Sequence, residues 1–144
     1  MRNDFHYNVE HRLQYACRVV RRARSADCRV LLFSRDADRL ARLDTALWTF
    51  SALDFVPHVA ADSPLADRTP VLLTGTLAGA VPACPVLVNL DDDVPPDLPS
   101  LQGRFERLIE IVARDDEDRR RARERFRVYR DAGFEPQAHD RSAE

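Results

Sequence analysis

The chain has 144 residues, 44% of them hydrophobic, and a formal net charge of -2. That length supports a single domain, residues 1–144, whose core needs no disulfide or metal to stabilise it. A protein that coats nucleic acid is more often basic overall, so the near-neutral charge favours a localised anion site instead. No apolar run approaches the roughly 20 residues that cross a bilayer, which predicts a cytoplasmic protein without a membrane partner.

The first fifty residues predict two strand–helix repeats. The predicted elements are a strand at 4–9, a helix at 10–25, a strand at 29–33 and a helix that Ser34 caps and that ends near Trp48. In both helices apolar residues recur at helical spacing, and the second strand is a continuous apolar run that suits a buried parallel strand. This alternation is typical of right-handed βαβ units.

The second half predicts strands at 70–73, 85–90 and 105–112, followed by a long helix. The run at 105–112 is ambiguous between strand and helical spacing, and we interpret it as a strand because the next helix already begins near residue 114. The last eight or so residues are expected to be a flexible tail. We therefore predict a three-layer, Rossmann-like α/β domain with a mainly parallel sheet.

Little in the sequence indicates catalysis or a cofactor. Four glycines are present, and none belongs to a phosphate-binding motif, so we expect no nucleotide site and no cofactor. The adjacent acids at 91–93 point in different directions, which favours a solvated loop over a metal site. No two histidines have the spacing of a helical metal pair. The three cysteines are expected to be reduced, and Cys17 lies on an apolar helix face where a thiolate is disfavoured.

The stretch at 115–134, DDEDRRRARERFRVYRDAGF, predicts one helix of about five turns. Asp115 is its expected N-cap, and Gly133 stands where helices usually stop. An apolar stripe should face the domain; it comprises Ala122, Phe126, Tyr129 and Ala132. Beside it runs a row of guanidinium groups on Arg119, Arg123 and Arg130, which suits a ligand that is both anionic and apolar. The alternative is a solvated surface with ordinary ion pairs to Glu124.

A second candidate surface follows the helix that ends near Trp48. Four large apolar residues occur within eight positions there; they are Trp48, Phe50, Leu53 and Phe55. They are either core residues or an exposed anchor for a partner protein.

Long, collinear stretches resemble one protein family. They are FHYNVEHRLQYACRV, RLDTALWTFSALDFVPH, PVLVNLDDDVPP, RFERLIEIV, DDEDRRRARERF and YRDAGF. Together they cover nearly the whole chain and resemble the chi subunit of the bacterial DNA polymerase III holoenzyme. The resemblance implies a non-catalytic adaptor of the clamp-loader complex, with a sheet that has lost its nucleotide site.

The resemblance also implies partners and binding residues. Chi proteins hold the acidic C-terminal tail of single-stranded DNA-binding protein, which ends in Pro-Phe, so DNA is contacted mainly indirectly. The positions that match the tail-binding site are Arg119, Arg123, Phe126 and Val112, with Arg130 continuing the row. A second surface, matching Trp48 and Phe55, is expected to dock the psi subunit or a repair helicase.

Two other functions compete with this interpretation. One is a stand-alone protein that binds single-stranded nucleic acid through its basic helix, with a steep dependence on salt. The other is an enzyme on a Rossmann-like scaffold, for which the sequence offers no convergent set of titratable groups.

Overall fold

The computed structural model describes residues 1–50, 56–78 and 83–143. Within these residues the chain forms seven strands and four α-helices. In chain order they are β1 (Arg2–Val9), α1 (Arg12–Ser25), β2 (Val30–Phe33), α2 (Ala37–Thr49), β3 (His58–Ala60), β4 (Val71–Thr74), β5 (Val86–Asn89), α3 (Leu98–Leu101), β6 (Arg107–Ala113), α4 (Asp116–Asp131) and β7 (Pro136–Asp140). No helix in the described part of the chain is both long and apolar enough to cross a membrane.

The strands form one sheet in the order β3-β4-β2-β5-β6-β1-β7, and every pair is parallel. The Rossmann-like prediction is therefore confirmed, and so is the assignment of residues 105–112 to a strand, since β6 covers most of them. Its position explains the ambiguous pattern, because β6 lies between β5 and β1 and is buried on both faces.

Helices cover both faces of the sheet and create two cores. Alternate β2 residues point to opposite faces: Val30 and Leu32 pack on the α1 and α2 side, and Leu31 and Phe33 pack on the α4 side. The same alternation in β1 places Phe5 beneath α4. The sheet therefore separates a face built by α1 and α2 from a face built by α4.

Two local predictions are wrong, and two short elements were missed. Ser34 does not cap α2; Asp36 does, because its side chain accepts a hydrogen bond from the Arg39 backbone nitrogen at 3.2 Å. Ala132 is exposed and is not part of the apolar stripe of α4, because the helix ends at Asp131. The short β3 and α3 were not predicted.

The prediction of a flexible tail is also wrong for residues 137–140, because they belong to β7. This strand pairs with the outer edge of β1, with Phe5 opposite Ala138. His139 Nε2 lies 2.9 Å from a carboxylate oxygen of the buried Asp4 and ties the strand down. Most β7 side chains are exposed or half-buried, so the sequence carries no apolar alternation that would have indicated a strand.

Candidate functional site

A groove of about 470 Å³ lies between α4 and the edge of the sheet formed by β1, β6 and β7. Its lining combines aromatic, aliphatic and guanidinium groups. The lining residues are Phe5, Tyr7, Val112, Arg119, Ala122, Arg123, Phe126, Arg127, Arg130 and Ala138. All five residues that we predicted for the tail-binding site, four on α4 and Val112 on β6, line this one groove.

Helix α4 starts and stops where its sequence indicates. The Asp115 side chain accepts a hydrogen bond from the Asp118 backbone nitrogen at 2.9 Å and so caps the first turn. Gly133 follows the last turn with φ 89°, a left-handed conformation that glycine adopts without strain. The Phe134 backbone nitrogen then donates to the Tyr129 carbonyl, as in a helix C-cap. These two signals fix where α4 begins and ends.

Aromatic and aliphatic groups form the floor and wall of the groove. The rings of Phe5 and Phe126 lie 5.2 Å apart at 56°, a tilted contact that holds Phe126 in place. Val112 and Ala122 are buried beneath them, whereas Tyr7 and Phe126 are half-buried. Part of the aromatic surface therefore remains open to a ligand.

Two guanidinium groups in the groove differ from the others on α4. Among the described residues, neither Arg119 nor Arg123 makes an ion pair or a side-chain hydrogen bond. The other five arginines of α4 each have an acidic partner. These pairs are Arg120 with Glu117, Arg121 with Glu117 and Asp92, Arg125 with Glu110, Arg127 with Glu124, and Arg130 with Asp131. The groove thus presents two cations whose charge the protein does not neutralise.

A buried ion pair beneath α4 was not predicted. Arg125, 2% exposed, donates from Nε to Oε1 of the fully buried Glu110 at 2.9 Å. The other carboxylate oxygen accepts from Asn89 at 2.8 Å and from the Tyr129 hydroxyl. Arg125 also donates to the Asp92 carbonyl at 2.8 Å. This network fixes the rotation of α4 about its axis, and hence the direction in which the groove arginines point.

Helical spacing could have predicted that Arg125 lies on the buried side of α4. It is three residues after Ala122 and four before Tyr129, so it lies on the buried side of α4. Glu110 could have been found in the same way, because it is an acid within the apolar run of β6.

Burial and the Glu110 charge raise the pKa of Tyr129 well above its ordinary value, so its hydroxyl remains a donor. Burial alone would lower the pKa of Arg125, but the neighbouring acids, Glu110 first, raise it.

The expectation of a solvated loop at 91–93 is wrong for Asp91 and Asp92, whereas Asp93 is exposed as expected. Asp91 is buried and accepts from Ser34 at 2.7 Å and from the Arg35 side chain at 2.8 Å. The Asp92 carboxylate lies within 3.3 to 3.6 Å of three guanidinium groups, on Arg12, Arg39 and Arg121. Arginines of α1, α2 and α4 therefore neutralise the Asp92 carboxylate at the carboxyl end of the sheet.

In residues 1–50, 56–78 and 83–143 the geometry supports neither a metal site nor a cysteine nucleophile. No three His, Cys, Asp or Glu side chains in these ranges are arranged as metal ligands. The cysteines are unpaired, as expected. Burial raises the pKa of Cys17 to about 11, so its thiol is protonated at neutral pH and is not a nucleophile.

The second candidate surface lies apart from the groove, at the end of α2. Trp48 is 58% exposed, and one edge of its ring contacts His58, with ring centroids 5.4 Å apart. Phe50 instead packs against the core beside α1. Phe55, which we assigned to the same surface as Trp48, lies outside the described residues. Among the described residues at this end of α2, Trp48 is the exposed large apolar side chain, and it lies next to the short edge strand β3.

Comparison with known proteins identifies relatives over nearly the full chain. The profile of the family described as DNA polymerase III chi subunit, HolC, matches residues 1–137. The DNA polymerase III subunit chi of Pseudomonas aeruginosa is 33% identical over 130 residues, which are 89% of this chain and 85% of the relative. The protein of the same name from Escherichia coli K12 is 28% identical over 121 residues, 84% of this chain and 80% of the relative.

Proposed function

The chain belongs to the DNA polymerase III chi subunit family, and we propose that its groove binds the acidic C-terminal tail of single-stranded DNA-binding protein. It is a non-catalytic accessory subunit of the DNA polymerase III holoenzyme and acts in DNA replication. In the proposed role it is an adaptor of the clamp-loader complex. It links the polymerase machinery to coated single strands and contacts DNA mainly through its protein partner.

The observation that carries this proposal is the pairing of two unneutralised guanidinium groups with an open aromatic wall. Arg119 and Arg123 lie one helical turn apart on α4, and both border the surface formed by Phe126. A tail that ends in Pro-Phe presents the complementary set of a terminal carboxylate, flanking acids and an aromatic ring. A guanidinium binds such a carboxylate through two parallel hydrogen bonds.

The proposed binding mode assigns a role to each side chain. Arg123, assisted by Arg119, pairs with the terminal carboxylate and the acids before it. The terminal Phe ring packs against Phe126 and Val112. Arg130, whose pair with Asp131 is exposed on both sides, can exchange that partner for an acid further along the tail.

Direct nucleic-acid binding through α4 is less well supported. A strand-binding helix needs a row of free cations, but five of the seven arginines of α4 already have acidic partners. The two that have none border an apolar groove. That arrangement selects a short amphipathic ligand over a sugar–phosphate chain.

The proposal is tested by titrating the protein with a labelled acidic peptide that ends in Pro-Phe. The same peptide with an amidated C-terminus removes only the terminal charge. Arg123→Ala removes its proposed partner, and Arg120→Ala on the same helix is the matched control, because Arg120 pairs with Glu117 outside the groove.

We expect the free-acid peptide to bind, and both amidation and Arg123→Ala to weaken it. The loss of one charge-assisted pair should cost about 1.5 to 3 kcal/mol, or about ten- to a hundredfold in affinity. Arg120→Ala should retain the affinity of the parent protein. Equal binding of both peptides, or equal effects of the two substitutions, would contradict the proposed site.

We further propose that the surface around Trp48 docks a second protein, the psi subunit or a repair helicase. The supporting observation is the exposure of a large indole at the end of α2, away from the groove. Exposed tryptophans are frequent anchors of protein interfaces. The two partners can then bind at the same time.

A further inference from the structure

Helix α1 carries a second concentration of positive charge that the tail-binding proposal does not use. Over Arg12–Ser25 the sequence RLQYACRVVRRARS contains five arginines and no acid. Four of these arginines are exposed, and Arg42 of the neighbouring α2 is exposed as well. We call this surface the α1 face; it comprises Arg18, Arg21, Arg22, Arg24 and Arg42.

The protein leaves much of this charge unneutralised. Among the described residues, Arg18, Arg24 and Arg42 make neither an ion pair nor a side-chain hydrogen bond. Arg18 and Arg22 are also four positions apart, so like charges are neighbours on the helix surface, which destabilises a helix slightly. An anionic partner would relieve that repulsion.

Neighbouring contacts make the α1 face continuous across two helices. Arg42 borders the same cavity as Gln14, near the start of α1. Towards the other end, the Arg21 guanidinium lies 5.7 Å above the Phe50 ring of α2. Arg42 and Arg21 therefore lie at the two ends of the junction of α1 and α2, and Arg18 lies between them along α1.

The α1 face and the groove lie on opposite sides of the sheet. Residues of α1 and α2 pack in the core with Val30 and Leu32, whereas Phe126 and Tyr129 of α4 pack in the core with Leu31 and Phe33. A ligand on one surface therefore does not block the other.

We propose that the α1 face binds the phosphate backbone of single-stranded DNA directly. Phosphate contacts need exposed cations and no apolar anchor, and the surface supplies only such cations. A protein partner would need apolar anchor residues at the centre of its interface. Among the described residues, the exposed large apolar side chains are Met1, Trp48, Leu65 and Val128, and none belongs to α1.

The geometry favours a single strand over a duplex. The α1 face is one side of a packed helix layer, and α1 buries Tyr15, Cys17 and Val20 against the sheet. It is therefore not a free helix or ribbon that can enter the major groove. A flexible single strand can follow the row of guanidinium groups. This contact is independent of the tail-binding groove and would place the protein on the strand that its proposed partner coats.

The test is fluorescence anisotropy of a labelled oligothymidylate with the full chain over a series of salt concentrations. The test variant is Arg18→Gln/Arg42→Gln, whose two side chains are exposed and have no ion-pair partner in the part of the chain that the structure describes. The matched control, Arg68→Gln/Arg120→Gln, removes the same charge from exposed arginines outside the α1 face. Arg123→Ala, a labelled duplex, an oligoglutamate and the acidic tail peptide complete the series.

We expect the oligothymidylate to bind at low salt, and the test variant to weaken it at least tenfold. Each lost phosphate contact lowers the slope of log affinity against log salt by about 0.7, so the test variant should have a slope shallower by about 1.4. The control variant and Arg123→Ala should retain most of the slope. Tail-peptide affinity should not change in the test variant, which separates this proposal from the one above.

Several results would overturn the proposal. No binding by the parent protein at low salt would do so, as would equal slopes for the test and control variants. A loss of DNA binding in Arg123→Ala would move the contact to the groove. Tighter duplex binding would overturn the choice of a single strand. Oligoglutamate binding that is lost in the test variant, with DNA binding intact, would assign the α1 face to an acidic protein.

Discussion

The substitution Glu110→Gln tests whether the ion pair beneath α4 holds that helix in place. It preserves the shape of the side chain and replaces one carboxylate oxygen by an amide group. In the parent protein both oxygens accept: one from Arg125 Nε, the other from Asn89 and the Tyr129 hydroxyl. The amide offers one oxygen, so at least one donor loses its acceptor. The Arg125 guanidinium also loses the charge that neutralises it.

The expected cost follows from burial. Both partners are almost completely removed from water, with exposures of 0% and 2%, so solvent can neither screen nor replace the lost charge. Removing one partner of a buried pair typically costs about 3 to 5 kcal/mol. We expect about 3 kcal/mol, because the backbone carbonyl of Asp92 still accepts from Arg125. That is a large share of the roughly 5 to 15 kcal/mol by which domains are stable.

Urea denaturation of Glu110→Gln and the parent protein measures this cost. The midpoint should fall while the slope of unfolding free energy against urea stays the same, which shows a loss of stability without a change in the surface exposed. Glu117→Gln, in an exposed pair with Arg120 on the same helix, is the control and should leave the midpoint unchanged. A loss below about 1 kcal/mol for Glu110→Gln would refute the reasoning. It would mean that the acceptors remaining around Arg125 suffice to hold α4.

Further predictions concern pH, backbone strain and the second surface. Burial first, then the positive charges of neighbouring groups, lower the pKa of His6 from 6.5 to about 4. Between those two pH values the unfolded chain binds a proton that the folded protein does not. The free energy of unfolding should therefore fall as the pH drops from about 6.5 to about 4. This fall should be smaller in His6→Gln than in the control His11→Gln. Gly133→Ala places a side chain at φ 89° and should cost about 1 kcal/mol in thermal unfolding, whereas Gly103→Ala, with open space and no positive φ, should not destabilise. Trp48→Ala should reduce the amount of psi subunit or helicase that the protein pulls down, and should not change its affinity for the tail peptide. Loss of both interactions would contradict the proposal of two separate surfaces.

Local sequence determined much of the fold and of the groove. The helix α4 carries its own start and stop signals, Asp115 and Gly133, and both act as predicted because capping depends on the nearest few residues. Helical spacing then sets which side chains share a face, so the order of residues along the chain is enough to assign Arg119, Arg123 and Phe126 to one row. The buried strands were identifiable because parallel strands covered on both faces are continuous apolar runs.

Reasoning from local sequence could not predict contacts between distant segments of the chain. The strand β7 forms because β1 offers it an unpaired edge, and nothing in its own exposed side chains requires a strand. Asp92 is neutralised because the sheet brings arginines from three helices to it.

Sequence by itself therefore determined most of the elements, the fold class and the face of α4 that forms the groove, since these depend on periodicity and on neighbours along the chain. Only the tertiary structure decided which charges are neutralised. Spacing along α4 separates Arg125 from Arg123, but it does not show that Arg125 is buried on Glu110 while Arg123 faces the groove with no ion-pair partner among the described residues. Burial and distance set the energy of an ion pair, and both arise only when separate segments pack together.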